Sequence, residues 1–200
     1  MKAGWRSGIV PVATFLIVLA IGASGWLYLS HDAATSVAGI GGPFTLSDGS
    51  GRTVTDRDLR GHFLLVYFGY TFCPDVCPTT LTAIAAALDR LGKQADRIEP
   101  LFITVDPARD TPKVVHDYAA AFSPRILGLT GTPQQIAAVA REYRVYYAIH
   151  RNGEPAADYT VDHSSIIYLM APDGRFIAPI AADESAQQMA ADIAKHMEAG

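Results

Sequence analysis

The only two cysteines of this 200-residue chain, Cys73 and Cys77, are separated by three intervening residues. This spacing brings two thiols within reach of one soft metal ion or of one disulfide bond. Each cysteine precedes a proline, which pushes it out of the α-helical region. We therefore expect Cys77 to cap a helix that starts at Pro78, and Pro74 and Asp75 to form a turn that folds Cys73 back toward Cys77. The positive end of that helix favours anions, so one or both thiols should ionise easily.

A pair of inert buried cysteines, or a disulfide that only stabilises the fold, is the alternative interpretation. Closing so short a loop removes little entropy from the unfolded chain, so a bridge here would add little stability. The residue types and their spacing therefore favour metal or redox chemistry.

Two apolar runs predict the elements that position the cysteine loop. Phe63–Phe68 ends at Gly69 and has the character of a buried strand, and Thr79–Leu91 carries the apolar stripe of a helix. Ile98–Val105 is the next apolar run. Strand, helix and strand in this order predict parallel pairing with a right-handed connection.

Charged residues follow the second of these strands, in the segment 106–112. Thr111 can cap a helix that Pro112 opens and that runs to Phe122, so ordinary turn and cap chemistry is one interpretation. Parallel strands bring this segment to the sheet edge that also receives the cysteines, where α/β folds place their sites. Arg109 and Asp110 are thus expected to frame the site electrostatically or to contact a partner. The residues predicted to have such roles are Asp75, Asp106, Arg109, Asp110 and Asp162.

His163 differs from the other five histidines because it directly precedes a predicted strand, 165–170. If that strand runs antiparallel to the cysteine strand, its first residues and His163 lie at the same sheet edge as Cys73 and Cys77. The other five histidines fall at the membrane boundary, in helices or in turns, and are interpreted as structural or solvated.

The rest of the chain predicts short strands and helices around this centre. The expected elements are a hairpin at 44–46 and 52–54, a helical turn at 56–59, a strand at 127–129, a helix from 133 to 143, a hairpin with an Asn-Gly turn at 145–149 and 157–161, a strand at 176–180 and a closing helix at 182–197.

The N-terminal region contains an apolar run, Ile9–Leu29, that is long enough to cross a bilayer as a helix. Lys2 and Arg6 precede it and Asp32 follows it, so the positive-inside rule places the N-terminus in the cytoplasm. The predicted organisation is a cytoplasmic N-terminus at 1–8, a transmembrane anchor at 9–29, a flexible linker at 30–42 and a domain at 43–200 that faces the periplasm or an equivalent space. A signal peptide cleaved near Ala38 is the alternative.

Composition limits the partners of this domain. All 20 acidic residues follow the apolar run, whereas two of the 16 basic residues precede it, so the domain is acidic and nucleic acid is excluded as an expected partner. Two cysteines in an oxidising compartment would normally pair. A function that needs free thiols there also needs a reductant.

Five motifs resemble the Sco/SenC copper chaperones, and the resemblance runs from about Pro43 to the C-terminus. They are Tyr70-Thr71-Phe72-Cys73-Pro74-Asp75-Val76-Cys77-Pro78, Asp106-Pro107-Ala108-Arg109-Asp110-Thr111-Pro112, Tyr143-Arg144-Val145-Tyr146-Tyr147, Asp158-Tyr159 and Val161-Asp162-His163-Ser164. The resemblance implies a thioredoxin-like α/β fold, with a central mixed sheet flanked by helices and an inserted β-hairpin, behind an N-terminal transmembrane helix. It also implies that Cys73, Cys77 and His163 are copper ligands. The implied partners are the copper-bearing subunit of cytochrome c oxidase, a thiol reductant of thioredoxin type, a copper donor protein and the membrane.

Ligand chemistry agrees with this resemblance. Two thiolates suit Cu(I), and one imidazole lets the same site accept Cu(II). Zinc with water as a fourth ligand stays open.

An enzyme is the competing class: a membrane-anchored thiol-disulfide oxidoreductase or a peroxiredoxin-like antioxidant enzyme. The cysteine spacing is one residue longer than in thioredoxin, and His163-Ser164-Ser165 stands where a cis-proline normally precedes the strand. The upstream proline of the peroxidase pattern is missing. A dual role, copper delivery together with reduction of the oxidase thiols, stays open.

Overall fold

The computed structural model describes residues 39–151 and 159–199, and a compact unit begins at Ile40. The strands of this part are β1 (Thr45–Ser47), β2 (Thr53–Thr55), β3 (Phe63–Gly69), β4 (Ile98–Thr104), β5 (Leu127–Leu129), β6 (Tyr147–Arg151), β7 (Tyr159–His163), β8 (Ile166–Met170) and β9 (Phe176–Ala181). The α-helices are α1 (Val76–Leu91), α2 (Pro112–Phe122), α3 (Pro133–Glu142) and α4 (Ala186–Ala199), with 3-10 helices at Asp56–Leu59 and Gly92–Arg97.

A five-stranded mixed sheet in the order β5-β4-β3-β8-β9 forms the centre. β3 pairs in parallel with β4 and antiparallel with β8, so Tyr67 lies opposite both Phe102 and Ile167. All seven residues of β3 are buried, as expected for a strand covered on both faces. The predicted parallel pairing is confirmed, and β8 does run antiparallel to β3, which is the condition for His163 to lie at the cysteine edge.

Alternate residues of β3 enter two apolar cores on opposite faces of the sheet. Leu65 and Tyr67 belong to the core that α1, α2 and α4 cover, together with Leu81, Val115 and Ile193. The other core lies between the sheet and α3. Its members include Leu64, Val66, Phe68, Leu46 and Ile136. The sheet is therefore rigidly packed from both sides, which gives the loops at its edge a stable base.

The start of α1 differs from the prediction. The helix begins at Val76 with Asp75 as its N-cap, so the prediction that Cys77 caps the helix is wrong. Pro78 is tolerated in the first turn because the N–H that proline lacks has no partner within the helix there. Cys77 consequently lies in the first turn and points into the apolar core.

The bounds of three further elements differ from the sequence pattern. The strands β6 and β7 lie about two residues later than predicted, and their Asn-Gly turn falls outside the described residues. The closing helix begins at Ala186 and not at 182, since Ser185 and Gln188 exchange hydrogen bonds in a capping box. The strand β9 uses the intervening residues up to Ala181.

In the described part of the chain, no helix has both the length and the apolar character needed to cross a membrane. The predicted anchor, 9–29, lies outside the described residues, as does most of the predicted linker.

Candidate metal centre

The cysteine loop begins at the end of β3 and leads into α1. The backbone N–H of Cys73 donates to Tyr70 O at 3.2 Å, which closes a turn. The N–H of Cys77 points at Cys73 Sγ, 3.5 Å away. The turn therefore brings the two sulfurs together, as predicted, although Cys77 is already helical.

His163 reaches the same place from a distant part of the chain. It is the last residue of β7, and β8 begins three residues later beside β3. Its Nε2 lies 3.3 Å from Cys77 Sγ. The two sulfurs and one ring nitrogen all lie within 4.8 Å of one another, a separation that lets one ion contact all three.

The orientation of the His163 ring leaves one nitrogen available for a metal. Nδ1 lies 3.2 Å from Ser164 O, and a carbonyl oxygen can only accept, so Nδ1 carries the proton in this bond. Nε2 then holds a lone pair directed at the sulfurs, which is the tautomer that a metal-binding imidazole requires. The rings of Tyr67 and Tyr70 meet the imidazole edge-on, with centroids 6.2 and 5.9 Å away.

The two thiols differ in their protonation. A hydrogen bond from the Cys77 thiol lowers the pKa of Cys73 to about 3. The pKa of Cys77 is raised, first because its proton is shared with Cys73 and second because the side chain is buried. One thiol ionises easily, whereas the prediction allowed one or both.

Exposure follows the same division. Cys73 is partly exposed and Cys77 is buried, and both are free thiols in this structure. Tyr67 directs its hydroxyl toward Cys77 Sγ at 3.7 Å. An incoming ligand or oxidant therefore reaches Cys73 first.

Asp110 supports the cysteine loop from within the protein. Its carboxylate accepts hydrogen bonds from the backbone N–H and the hydroxyl of Thr71, at 3.0 and 2.6 Å, and from the hydroxyl of Thr104 at 2.5 Å. Burial raises its pKa. Asp110 is fully buried, so in this structure it positions the loop and does not present a surface to a partner.

The partly exposed Arg109 and the buried Asp106 form an ion pair beside the loop, at 2.5 Å. Asp106 also accepts the Tyr159 hydroxyl at 2.6 Å. Burial raises the pKa of Tyr159 to about 12, and this hydrogen bond to Asp106 is the second cause.

The remaining predicted residues lie at the surface. Asp75 caps α1 through its backbone carbonyl, which accepts from Thr79. Asp162 pairs with His150 across the β6–β7 hairpin at 2.9 Å, with both side chains more than half exposed. Asp162 neighbours His163 in sequence, yet alternation along β7 directs the two side chains to opposite faces.

Several contributors were missed by reasoning from sequence. Tyr67 contacts Cys77, Thr71 anchors the loop, and Tyr159 joins the Arg109–Asp106 pair. Gly69 is the fourth, because a Cβ there would lie 2.6 Å from Cys77 Sγ and 2.8 Å from the Phe102 ring. A glycine that ends a strand of large side chains was the one available signal for such a close approach.

A mixed sheet flanked by helices, with an inserted hairpin and a Cys-Cys-His cluster at one edge, defines a thioredoxin-like domain with a candidate metal site. The SCO1/SenC family model matches residues 32–198, and this chain belongs to that family.

The relatives are similar over most of this chain. Protein SenC of Rhodobacter capsulatus is 51% identical over 140 residues, which are 70% of this chain and 62% of SenC. The mitochondrial SCO1 homolog 1 of Arabidopsis thaliana is 47% identical over 141 residues, which are 70% of this chain but 42% of that protein. The chain thus spans less than two thirds of the length of both relatives.

The solved structure of Bradyrhizobium japonicum ScoI with copper bound is also similar. It has a TM-score of 0.72 and 46% sequence identity, and the match covers 78% of this chain and 99% of that one.

Proposed function

We propose that this protein is a copper chaperone that binds copper through the thiolates of Cys73 and Cys77 and the imidazole of His163. The observation that carries the proposal is the convergence of these three donor atoms within 4.8 Å at one edge of the sheet. Two soft sulfurs and one nitrogen match the preferences of Cu(I) and Cu(II). The copper bound to the similar ScoI supports the choice of metal.

Delivery follows from the unequal exposure of the ligands. Cys73 and His163 are partly exposed, whereas Cys77 is buried. An acceptor can therefore replace Cys73 and His163 one after the other while Cys77 still holds the cargo. The acceptor we propose is the copper-bearing subunit of cytochrome c oxidase, whose thiols the same protein would also reduce. A copper donor protein and a thioredoxin-type reductant complete the proposed partners.

The proposed location is the outer face of a membrane. The basis is the apolar run at 9–29 with Lys2 and Arg6 before it, followed by the linker at 30–42 and the domain at 43–200.

His163→Ala tests the ligand set. The substitution removes one nitrogen donor and leaves both sulfurs in place. We expect Cu(II) affinity to fall by more than the ~10- to 100-fold typical of changes outside the ligand sphere, and Cu(I) affinity to fall less. The measurement is the metal content and absorption spectrum of reduced protein offered copper and zinc together.

The matched control is His150→Ala, which removes an exposed imidazole from the same hairpin. If His163→Ala binds both copper states as the parent does, His163 is not a ligand and the proposed site is wrong. A parent protein that selects zinc over copper would contradict the proposed cargo.

Thiol-disulfide exchange is the second candidate function, and the split between the two thiols favours it. A partly exposed thiolate next to a buried protonated thiol is the arrangement of an attacking and a resolving cysteine. Such a reaction needs no third ligand. The His163→Ala variant separates the two functions. If its thiols still oxidise and reduce reversibly but it no longer supports assembly of the oxidase copper centre, copper delivery is the main function.

A further inference from the structure

The β6–β7 hairpin carries His163, whereas Cys73 lies in the β3–α1 loop and Cys77 in the first turn of α1. β6 and β7 pair only with each other in the described part of the chain, and they form a two-stranded sheet separate from the central one. Backbone pairing of β8 with β3 brings the end of β7 to the cysteine edge, but in the described part of the chain no strand pairing holds the hairpin itself against the cysteine loop. Side-chain contacts between the hairpin and the loop must therefore fix the distance between His163 and the cysteines.

Arg109 makes contacts to both sides. On the hairpin side its guanidinium carbon lies 3.7 Å from the centre of the Tyr159 ring, and Nη1 donates to Tyr159 O at 3.1 Å. On the loop side the same carbon lies 4.7 Å from the centre of the Phe72 ring and 5.7 Å from that of Tyr70. Phe72 directly precedes Cys73. One guanidinium thus contacts the cysteine loop and the strand that ends in His163.

Asp106 holds Arg109 in this position. It accepts from Arg109 Nε, and a second hydrogen bond, from the Tyr159 hydroxyl, attaches the same carboxylate to the hairpin. Asp106 is almost fully buried at the end of β4, and its backbone N–H donates to Thr104. The rigid central sheet therefore orients the guanidinium, which in turn orients the hairpin.

We propose that Arg109 is a positioning residue that holds the hairpin against the cysteine loop and so keeps His163 within ligand distance of Cys73 and Cys77. This inference rests on the proposed function, because it assigns His163 to the metal site. The planar guanidinium suits the role, since it stacks on aromatic rings and donates hydrogen bonds in its own plane at the same time. A lysine at the same place would keep the charge and lose the stacking.

Loss of Arg109 should affect the two copper states unequally. The sulfurs belong to one continuous segment, the β3–α1 loop and the first turn of α1, and keep their mutual geometry, whereas the nitrogen would move away with the hairpin. We expect Arg109→Gln to lower Cu(II) affinity ~10- to 100-fold and Cu(I) affinity less than ~3-fold. The Cu(II) spectrum should lose its nitrogen contribution, and Arg109→Lys should be intermediate.

A readout without metal tests the same idea. In the reduced, metal-free protein, the amides of Tyr159–His163 should exchange with solvent faster in Arg109→Gln than in the parent. The double variant Arg109→Gln/Asp106→Asn removes the unpaired carboxylate that the single variant leaves buried, so it keeps the test valid if the single variant folds poorly. Arg125→Gln is the matched control, because that arginine pairs with Asp96 at the surface.

Faster hairpin exchange together with a selective loss of Cu(II) supports the positioning role. Unchanged exchange together with parental Cu(II) affinity would overturn it. Equal loss of both copper states with a lowered unfolding midpoint would show a purely structural role and would also overturn it. If His163→Ala shows no copper defect, the proposed site fails, and hairpin exchange in the metal-free protein still decides whether Arg109 holds the hairpin.

Discussion

At the scale of single residues, the two sulfurs are chemically unlike although their sequence surroundings are similar. Both cysteines precede a proline in the same loop. Cys73 is partly exposed and accepts hydrogen bonds, whereas Cys77 lies against Tyr67 and the apolar core. A proton shared between them therefore stays on Cys77.

Alkylation of the reduced, metal-free protein tests this assignment. With a pKa of about 3, Cys73 is already a thiolate throughout the neutral range, so its rate of reaction with iodoacetamide should be flat between about pH 5 and 9. An ordinary thiol has a pKa near 8.5, so its reaction rate would rise about tenfold with each unit of increasing pH until the pH reaches that pKa. Cys77 should remain unmodified. Cys77→Ala, which removes the donated hydrogen bond, should restore pH dependence at Cys73.

Mass spectrometry of the modified peptide identifies the sulfur that reacted. A tenfold rise in the parent rate per pH unit between pH 6 and 8 would contradict the depressed pKa of Cys73.

The second prediction at this scale concerns a substitution at Gly69. Its missing side chain makes room for Cys77 Sγ and the Phe102 ring. Gly69→Ala should therefore destabilise the fold by about 1 to 3 kcal/mol, as overpacking of a core does, and should also weaken copper binding by displacing the sulfur. Denaturant unfolding and copper titration measure the two effects.

Gly51→Ala is the control for Gly69→Ala. Gly51 has open space around it but a φ of +81°, so an alanine there costs backbone strain of about 1 kcal/mol without touching the site. Equal copper affinity in the two variants would show that the contact at Gly69 is unimportant for the metal centre.

At the scale of elements, the cysteine loop depends on neighbours that are distant in the sequence. Asp110, in the loop between β4 and α2, accepts the N–H of Thr71 and thereby fixes the segment that leads to Cys73. The strand β8 places His163 because it runs antiparallel to β3. Each of the three candidate donor side chains is thus held by a different element, and the central sheet is their common support.

The turn between β1 and β2 provides a prediction about pH. Asp48 accepts hydrogen bonds from Ser50 and Arg52, and these bonds, the Ser50 side chain first, lower its pKa to about 2. A carboxylate whose pKa is lower in the folded protein stabilises the fold above its unfolded pKa near 3.9, and the effect is lost as the pH falls toward 2. Asp48→Asn should therefore cost about 1 to 3 kcal/mol at pH 6, and the difference from the parent should shrink between pH 4 and 2.

Urea unfolding at a series of pH values measures this difference. Asp96→Asn is the control, since its ion pair with Arg125 is exposed and should contribute less than about 1 kcal/mol at any pH. A gap between Asp48→Asn and the parent that stays constant down to pH 2 would contradict the assignment.

At the scale of the whole molecule, the proposed function requires the domain to face an acceptor outside the cytoplasm. The proposal rests on the uncharged apolar run at 9–29 and the basic residues before it. After an alkaline wash of membranes, we expect the full-length protein to stay in the membrane pellet. Release into the supernatant, or a mature N-terminus near Gly39, would contradict the anchor.

The sequence by itself determined the order of the elements and the place of the cysteine loop. Apolar runs predicted β3, β4 and β8, and Thr111-Pro112 predicted the start of α2, since periodicity and cap chemistry are local properties. The sequence placed His163 at the cysteine edge only on condition that the following strand runs antiparallel to β3, because strand direction decides which strand ends meet, and the structure meets that condition. The motifs identified the family.

Only the tertiary structure decided how the site is protonated and supported. Cys77 lies within the helix and does not cap it. Because Cys77 is buried and shares its proton with Cys73, only Cys73 is a thiolate. Asp162 lies on the exposed face of the hairpin, whereas the Arg109 guanidinium lies against the rings of Phe72 and Tyr159. Desolvation, stacking and proton sharing depend on atoms brought together from positions as far apart as residues 77 and 163, and no local pattern in the chain encodes those distances.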